Sequence, residues 1–275
     1  MDWSDTWKCW GGKSILGYEM SRDKLIERDR YDAHARAQLA DITDGMRKAA
    51  LGSAAIKPSL RTPYLVYEQR IRDLVHSEDR VLELAAGSGM HTQILLLTGA
   101  HVTATDISPE SLKLLEQRVR ADFGALTTQI ADMEALPFPD GVFDVVTCAG
   151  GLSYGAPIVV DAEIRRVLRP GGTLICVDSL NHNFIYRLNR WLHYLRGERT
   201  KSTLLRMPDL SRIARISQGY SEVDIQYFGA FSFAAPIIVQ LFEEPRAQRI
   251  LDRLDWLVNV KWSAFKFVMS ARGLN

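Results

Sequence analysis

The chain has 275 residues, enough for one α/β domain with appended helices. Its 34 basic and 33 acidic residues leave a formal net charge of +1, which excludes the broad basic field of a nucleic-acid-binding protein. Early charges argue against a signal peptide, and no apolar run reaches the roughly 18 residues of a membrane span, so a cytoplasmic chain is expected. Three cysteines without zinc-like spacing predict reduced thiols.

The N-terminal part of the chain is predicted to be helical and irregular. Trp3, Trp7 and Trp10 have the spacing of one face of a short helix, which we expect to pack on the main domain. From Ser21 to about Leu51, charged residues alternate with apolar ones in an amphipathic helical pattern. Another helix is predicted from Thr62 to Val75.

Strands and helices then alternate from residue 80 to residue 178. Strands are predicted at Val81–Leu84, Val102–Thr105, Thr127–Ile130, Phe143–Cys148 and Thr173–Val177. This alternation predicts a parallel sheet with right-handed crossovers, whose ligands bind at the carboxyl ends of the strands. Beyond it, two closing strands are predicted near Val223–Phe228 and Phe265–Ser270, with a mostly helical stretch before the last one.

A turn of small residues, Ala85–Gly89, follows the first strand and leads into a helix. Such a strand, glycine-rich turn and helix can cradle a nucleotide-like ligand. Asp106 ends the next strand, about 20 residues beyond the turn, where a carboxylate can accept hydrogen bonds from ribose hydroxyls. These features suit a nicotinamide dinucleotide or S-adenosylmethionine. Thr92 replaces the third glycine of a dinucleotide site, and Glu83 would repel a pyrophosphate but attract a sulfonium, so both favour S-adenosylmethionine.

At these residues the chain resembles the class I S-adenosylmethionine-dependent methyltransferases that act on small molecules. The matching segments are Val81–Gly89, Thr105–Ser108, Ala131–Asp140, Phe143–Val146 and Leu168–Leu174. The resemblance covers roughly residues 60–180 and the two closing strands. It implies a Rossmann-like α/β fold with helices on both faces of a seven-stranded, mostly parallel sheet whose last strand is antiparallel. It also implies an enzyme that uses S-adenosyl-L-methionine.

The resemblance further implies which residues hold the cofactor. Glu83 and the glycine turn would hold the methionine part, Asp106 the ribose, and Asp132 the adenine amino group. Ala85 departs from the family pattern, which usually has glycine there, so a slightly displaced ligand is expected. The complete predicted set is Tyr31, Glu83, Ala85, Gly87, Gly89, Asp106, Ile107, Asp132, Met133 and Ala149.

The methyl acceptor is expected above the ends of the fourth and fifth strands. His182 is the candidate general base because it follows the fifth strand and histidine titrates near neutrality. The alternative for His182 is a loop histidine bonded to the backbone. Asp178 is the candidate that orients His182, and with no second acid near it in sequence a metal site is not predicted. The candidate acceptor-binding residues are Tyr154, Asn183, Arg187 and Arg190.

The segment 181–215 carries eight basic residues but only two acidic ones. Three interpretations stay open: a solvated surface, a site for an anionic acceptor, and a helix on an acidic membrane surface. The first is favoured, and membrane contact is not. Arginine guanidinium groups form paired hydrogen bonds with phosphate and carboxylate groups, so an anionic acceptor is expected if this segment binds one.

These features predict an N-terminal helical lid at 1–60, a cofactor-binding core at 61–180, an arginine-rich helical cap at 181–215 and closing strands at 216–275. The predicted activity is O-methylation of a polar or anionic small molecule, such as a sugar or glycan intermediate. One alternative is N- or C-methylation of an aromatic or quinone-like metabolite. Another is a non-catalytic binding protein on the same fold. No nucleic-acid partner is expected, and the sequence does not set the oligomeric state.

Overall fold

The computed structural model describes residues 20–40, 52–119, 125–195, 200–230, 238, 240–257 and 261–275. Within these ranges, no helix has the length and apolar character needed to cross a membrane. The predicted tryptophan-bearing helix lies outside the described residues, as do residues 41–51 of the amphipathic pattern.

A seven-stranded sheet forms the centre of the described structure. Its strands are β1 (Arg80–Leu84), β2 (His101–Asp106), β3 (Ala125–Ile130), β4 (Phe143–Ala149), β5 (Leu168–Ser179), β6 (Tyr220–Phe228) and β7 (Lys266–Leu274). Their spatial order is β3-β2-β1-β4-β5-β7-β6. Strands β1 to β5 pair in parallel, whereas β7 runs antiparallel to both β5 and β6. The predicted seven-stranded, mostly parallel sheet with an antiparallel last strand is confirmed.

Helices connect the strands and extend the chain at both ends. They are α1 (Arg22–Ala40), α2 (Pro58–Leu74), α3 (Thr92–Leu96), α4 (Pro109–Arg118), α5 (Pro157–Val167), α6 (Phe184–Leu195), α7 (Lys201–Arg206), α8 (Leu210–Ser217) and α9 (Glu244–Leu257). Helix α4 begins where its sequence predicts, because the Ser108 hydroxyl accepts the N–H of Ser111 and Pro109 occupies the first turn.

The core has two layers because successive residues of a strand point to opposite faces of the sheet. Val81 and Val145 lie in a buried cluster with side chains of α2, α3 and α4. Their neighbours Leu82 and Val146 lie in a second cluster, with side chains of α5 and α8. Helices therefore cover both faces, and the carboxyl ends of the parallel strands form one edge between them.

One local expectation needs correction. The residues Arg-Pro-Gly-Gly at 169–172 are typical of a sharp turn, and the fifth strand is predicted to begin only at Thr173, but the structure places Arg169–Gly172 inside β5. Phe143 pairs with Leu168, and Val145 pairs with Thr173, so four residues of β5 face one residue of β4. The extra residues form a bulge, in which Gly171 adopts a φ of 77° that favours glycine.

Candidate active site

A cavity of about 330 Å³ lies at the carboxyl ends of β1, β2 and β4. A parallel sheet places ligands at this edge. Nine of the residues predicted to contact cofactor or acceptor line this cavity: Tyr31, Ala85, Gly87, Asp106, Ile107, Asp132, Met133, Ala149 and Tyr154. The structure thus brings together side chains that are more than 120 positions apart in sequence, at Tyr31 and Tyr154.

The carboxylate of Asp106 is held by backbone donors from two directions. One oxygen accepts the N–H of Gly87 in the turn after β1, and the other accepts the N–H of Ser108, each at 2.9 Å. Burial raises the pKa of Asp106, and these N–H bonds oppose that rise. The side chain is therefore fixed in the cavity wall, where its remaining lone pairs can accept hydrogen bonds from a ligand.

Two glycines leave open space in the cavity wall. Gly87 and Gly150 have φ values of 54° and 77°, and a Cβ added to either would have no atom within 4 Å. Gly89 differs, because its Cβ would lie 2.8 Å from side-chain atoms of both Leu115 and Val119. Gly89 does not line the cavity and instead lets α4 and the residue after it pack closely on the turn. The open space at Gly87 and Gly150 suits a ligand that approaches the backbone.

Ala85 occupies a strained position that a glycine opposite accommodates. Its φ is 51°, in the left-handed region that an alanine adopts only at a cost. A Cβ added to Gly151 would lie 2.7 Å from the Cβ of Ala85. Because residue 151 is a glycine, there is room for the side-chain methyl group of Ala85, which a glycine at position 85 would not have. The predicted displacement of the ligand stays a prediction.

Glu83 lies behind the cavity wall rather than in it. Its side chain is 3% exposed and accepts a hydrogen bond of 2.6 Å from the hydroxyl of Thr92. Burial raises the pKa of Glu83 to about 7, although the Thr92 hydroxyl opposes the rise. Glu83 is not among the residues that line the cavity, so its contact with the methionine part stays a prediction.

Helix α1 forms the side of the cavity that faces the sheet edge. Lys24, 4% exposed, donates to both carboxylate oxygens of Asp132 at 2.7 and 2.6 Å and lies 2.9 Å from an oxygen of Glu134. Burial lowers the pKa of Lys24, but its bonds to the two acids outweigh this and raise it overall. Asp132, predicted to accept from an adenine amino group, thus already has a cationic partner.

Sequence reasoning missed most of the cavity residues on α1. The helix contributes a set with helical spacing, Lys24, Glu27, Tyr31, His34 and Ala35, of which only Tyr31 was predicted. The spacing of 3 and 4 around Tyr31 is the signal that could have found the others. The apolar pattern misleads here because Ile26 is exposed, whereas Glu27 is buried and accepts from the hydroxyls of Thr200 and Thr203.

Tyr31 and Tyr154 meet across the cavity. Their hydroxyl groups are hydrogen-bonded, and their rings pack edge to face with centroids 5.7 Å apart. Tyr154 lies in the loop between β4 and α5, so this contact joins α1 to the loop that also supplies Gly150. Tyr31 is predicted to contact the cofactor and Tyr154 to bind the acceptor, and the structure places the two side chains in one contact.

The predicted catalytic pair is not joined in the structure. The Asp178 carboxylate accepts the N–H groups of Leu152 at 2.9 Å and Ser179 at 2.6 Å, and no hydrogen bond joins it to His182 among the described residues. Burial lowers the pKa of His182, which lies against the backbone of Trp262. Neither His182 nor Asp178 lines the cavity. A general-base role for His182 stays a prediction, and Asp178 holds the loop after β4.

Arg190 has its partners within the protein, so its predicted contact with the acceptor stays a prediction. Arg190 is buried, donates to the carbonyl of Leu180 and to the amide oxygen of Asn181, and lies 5.2 Å over the Phe265 ring. A buried guanidinium needs such partners, and here they come from the protein itself. Arg187 is exposed on the same helix and lies outside the cavity wall, as does the half-buried Asn183.

The cysteines and the acidic residues form no second centre in the described ranges. Cys148 and Cys176 are buried and unbridged, as the sequence predicts, and burial raises the pKa of the Cys148 thiol to about 12. Across the described parts of the chain, no group of three or more His, Cys, Asp and Glu side chains is placed to hold a metal ion.

Comparison with known proteins agrees with this geometry. Residues 82–176 match the family model described as a methyltransferase domain. An uncharacterised protein of Mycobacterium tuberculosis (strain ATCC 25618 / H37Rv) is 38% identical over 110 residues, which are 40% of this chain and 40% of that protein. A demethylmenaquinone methyltransferase of Clavibacter sepedonicus is 38% identical over 105 residues, covering 36% of this chain and 41% of the relative.

Among solved structures, the fold is similar to Haemonchus contortus phosphoethanolamine N-methyltransferase 2, solved with phosphomonomethylethanolamine and S-adenosylhomocysteine. The TM-score is 0.60 at 14% identity, and the match covers 94% of this chain and 61% of that one. This likeness shows the fold. The chain spans about 40% of the length of the curated relatives it matches. The family model matches residues 82–176, which include most of the residues that line the cavity.

Proposed function

We propose that this chain, whose residues 82–176 match a methyltransferase-domain model, is a class I S-adenosylmethionine-dependent methyltransferase that transfers a methyl group to a small-molecule acceptor. The main support for this proposal is that the motif residues line one cavity at the carboxyl ends of β1, β2 and β4. The cofactor, S-adenosylmethionine, supplies an electrophilic methyl group on a positively charged sulfur.

We assign the cofactor contacts to residues whose placement suits them. Asp106 would accept from the ribose hydroxyls, since Gly87 and Ser108 already hold its carboxylate in place. Asp132 would accept from the adenine amino group and share its oxygens with Lys24. The space at Gly87 and Gly150 would admit the remainder of the cofactor against the backbone.

The protein's contribution to the reaction is then alignment and exclusion of water. An in-line displacement gains most from a nucleophile held about 3–3.5 Å from the methyl carbon. The contact between Tyr31 and Tyr154 joins α1 to the loop after β4 and would close the cavity over the reactants. We therefore propose that α1 acts as a lid on the cofactor cavity, with Tyr31 at its contact point.

An aromatic or quinone-like acceptor is favoured over a polar or anionic one. The Arg190 guanidinium donates to the Leu180 carbonyl and the Asn181 amide oxygen, and that of Arg212 pairs with the Asp161 carboxylate at 2.7 Å. Both guanidinium groups therefore have partners within the protein, which disfavours binding of an anionic acceptor. The tyrosine pair offers aromatic surface at the cavity instead. The similarity to a demethylmenaquinone methyltransferase supports the same choice. O-methylation of a sugar-like acceptor is the second candidate, with the exposed Arg187 as its support.

The test is methyl transfer by the full chain from methyl-labelled S-adenosylmethionine. A naphthoquinol that lacks its ring methyl group and a nucleotide sugar serve as the two acceptors. We expect label on the quinol, with formation of S-adenosylhomocysteine, and none on the sugar. Label on the sugar alone would select the second candidate. Cofactor binding without transfer to either acceptor would contradict both proposals and support the non-catalytic binding protein.

The same assay decides the role of His182. If His182 is the general base, His182→Ala lowers turnover by about 100-fold and removes an acidic limb from the pH profile, with cofactor affinity unchanged. If alignment alone drives the reaction, the variant retains its activity. The placement of His182 outside the cavity wall makes retained activity the expected result.

A further inference from the structure

Helix α6 exposes an apolar stripe on the side opposite its buried face. Phe184, Leu188 and Trp191 are 76%, 48% and 51% exposed and follow the spacing of 4 and 3 that aligns side chains on one face of a helix. Apolar residues at this spacing usually mark the buried face of a helix. The structure instead buries Tyr186 and Arg190 on the other side.

The buried side of α6 is firmly attached to the sheet. The Tyr186 hydroxyl donates to the carbonyl of Gly229 at 2.8 Å, and its ring centroid lies 4.9 Å from that of Phe265. Arg190 stacks over the same Phe265 ring. These contacts fix the rotation of the helix, so the apolar stripe is held outward by the packing of the opposite face.

Positive charge accompanies the stripe. Segment 181–215 contains eight basic and two acidic residues. Of the described basic residues, four have partners within the protein: Arg190, Arg206, Arg212 and Arg215. Arg187, on α6 itself, and Lys201, at the start of α7, are exposed. A helix that combines Phe, Leu and Trp on one face with flanking basic residues has the composition of an interfacial helix on an anionic bilayer.

We propose that α6 is a docking surface for anionic lipid membranes. Phe184, Leu188 and Trp191 enter the boundary between headgroups and acyl chains, and Arg187 remains at the level of the phosphates. The exposed positive charge of Arg187 and Lys201 favours an anionic lipid surface over a second copy of the chain, because the like charges of two copies would repel each other. This surface lies outside the cavity wall, so the inference stands independently of the acceptor and of methyl transfer.

Cosedimentation of the full chain with lipid vesicles tests this inference. Vesicles of phosphatidylcholine alone are compared with vesicles that also contain phosphatidylglycerol, at low and high salt. We expect binding to the anionic vesicles and weaker binding at high salt, because salt screens exposed charges. Equal binding to both vesicle types, or binding to neither, would overturn the proposal.

Matched variants separate the stripe from general surface properties. Trp191→Gln is expected to lower the partition coefficient by about tenfold through lost apolar burial. Arg187→Gln should lower it by about fivefold, the value of one basic residue near an anionic surface. Ile158→Gln and Arg246→Gln remove a similarly exposed apolar residue and a similarly exposed charge elsewhere, and should leave binding unchanged.

Unfolding midpoints and oligomeric state complete the test. All four substituted side chains are exposed, so the midpoints should stay at the value of the unmodified chain. Unchanged vesicle binding in Trp191→Gln would overturn the proposal. So would a concentration-dependent dimer that Trp191→Gln dissolves, since this result would assign the stripe to a second copy of the chain.

Discussion

The interior of the sheet and helix α1 both bury charged groups, but they do so in different ways. Glu83 in β1 has the Thr92 hydroxyl as its hydrogen-bond donor, and burial raises its pKa to about 7. Lys24 in α1 is almost equally buried, yet it is paired with the carboxylates of Asp132 and Glu134. The difference predicts opposite results when the charge is removed. Loss of the Glu83 charge should stabilise the sheet, whereas loss of the Lys24 charge should weaken the packing of α1 against the rest of the chain.

Buried polar contacts hold α1 in place. Besides Lys24, its buried face carries Glu27, bonded to Thr200 and Thr203, and Asp32, bonded to the Ser108 hydroxyl. Each bond reaches a different part of the chain. Polar contacts that water can replace give a helix that is able to detach as a unit, which suits the proposed lid.

The largest expected effect comes from Glu83→Gln. The folded-state pKa of about 7 lies above the ordinary value of 4.5, so the folded protein binds the proton more tightly than the unfolded chain. Stability therefore falls as the pH rises from about 4.5 to 7 and stays low above that range. The amide removes this loss and should raise the free energy of unfolding at pH 8 by about 3 kcal/mol.

Denaturant unfolding between pH 4 and 8 measures this prediction. The variant should show a flatter pH profile than the unmodified chain over the same window. Equal profiles would mean that the carboxylate of Glu83 ionises as easily in the folded protein as in water, contrary to its burial.

A smaller effect is expected at the contact between Ala85 and Gly151. Gly151→Ala brings a Cβ to 2.7 Å from that of Ala85 and 2.9 Å from the Cys148 sulfur, and should cost about 2 kcal/mol of stability. Ala85→Gly relieves a left-handed alanine and should stabilise by about 1 kcal/mol. In the double variant the two changes should compensate in part, with a coupling energy measured by a double-mutant cycle. Strict additivity would contradict the proposed accommodation.

The smallest global effect is expected on the α1 side. Lys24→Met removes the ion pairs that join α1 to the carboxylates of Asp132 and Glu134, and among the described residues only Glu134 keeps a second cation, Arg206 at 3.9 Å, so α1 loosens more than the sheet. Amide hydrogen exchange within α1 should accelerate by about tenfold or more, while the global unfolding free energy changes by less than about 1 kcal/mol. Arg28→Met removes a more exposed cation of the same helix and should change neither quantity. A large global loss would show that α1 unfolds together with the sheet.

The sequence predicts the sheet well because its strands and turns follow local rules. Alternating elements from Val81 to Val177 set the parallel order, and Ser108 and Pro109 mark a helix start that depends on neighbouring residues alone. Asp106 and Asp132 could be predicted as cavity residues for a similar reason, since Asp106 ends β2 and Asp132 follows β3, and the carboxyl ends of these parallel strands share an edge.

The buried faces of α1 and α6 could not be predicted in this way, because they depend on contacts with residues far away in sequence. Lys24 is buried since Asp132 and Glu134 lie 108 and 110 positions away in sequence but adjacent in space. Arg190 is buried because it lies over the Phe265 ring and donates to the Leu180 carbonyl. This packing leaves Phe184 and Trp191 on the exposed side of the helix. Apolar periodicity alone gives the wrong exposed face in both helices.

The most direct test of the central assignment is calorimetric titration of the full chain with S-adenosylmethionine. We expect binding by the unmodified chain and an affinity about 100-fold lower for Asp106→Ala, which lacks the carboxylate that would accept two hydrogen bonds from the ribose hydroxyls. Asp106→Asn keeps an acceptor for only one of the Gly87 and Ser108 N–H groups and so shows how much of the loss comes from the turn itself, whereas Asp73→Ala controls for loss of an exposed carboxylate. Unchanged affinity in Asp106→Ala, or no binding by the unmodified chain, would contradict the placement of the cofactor in this cavity.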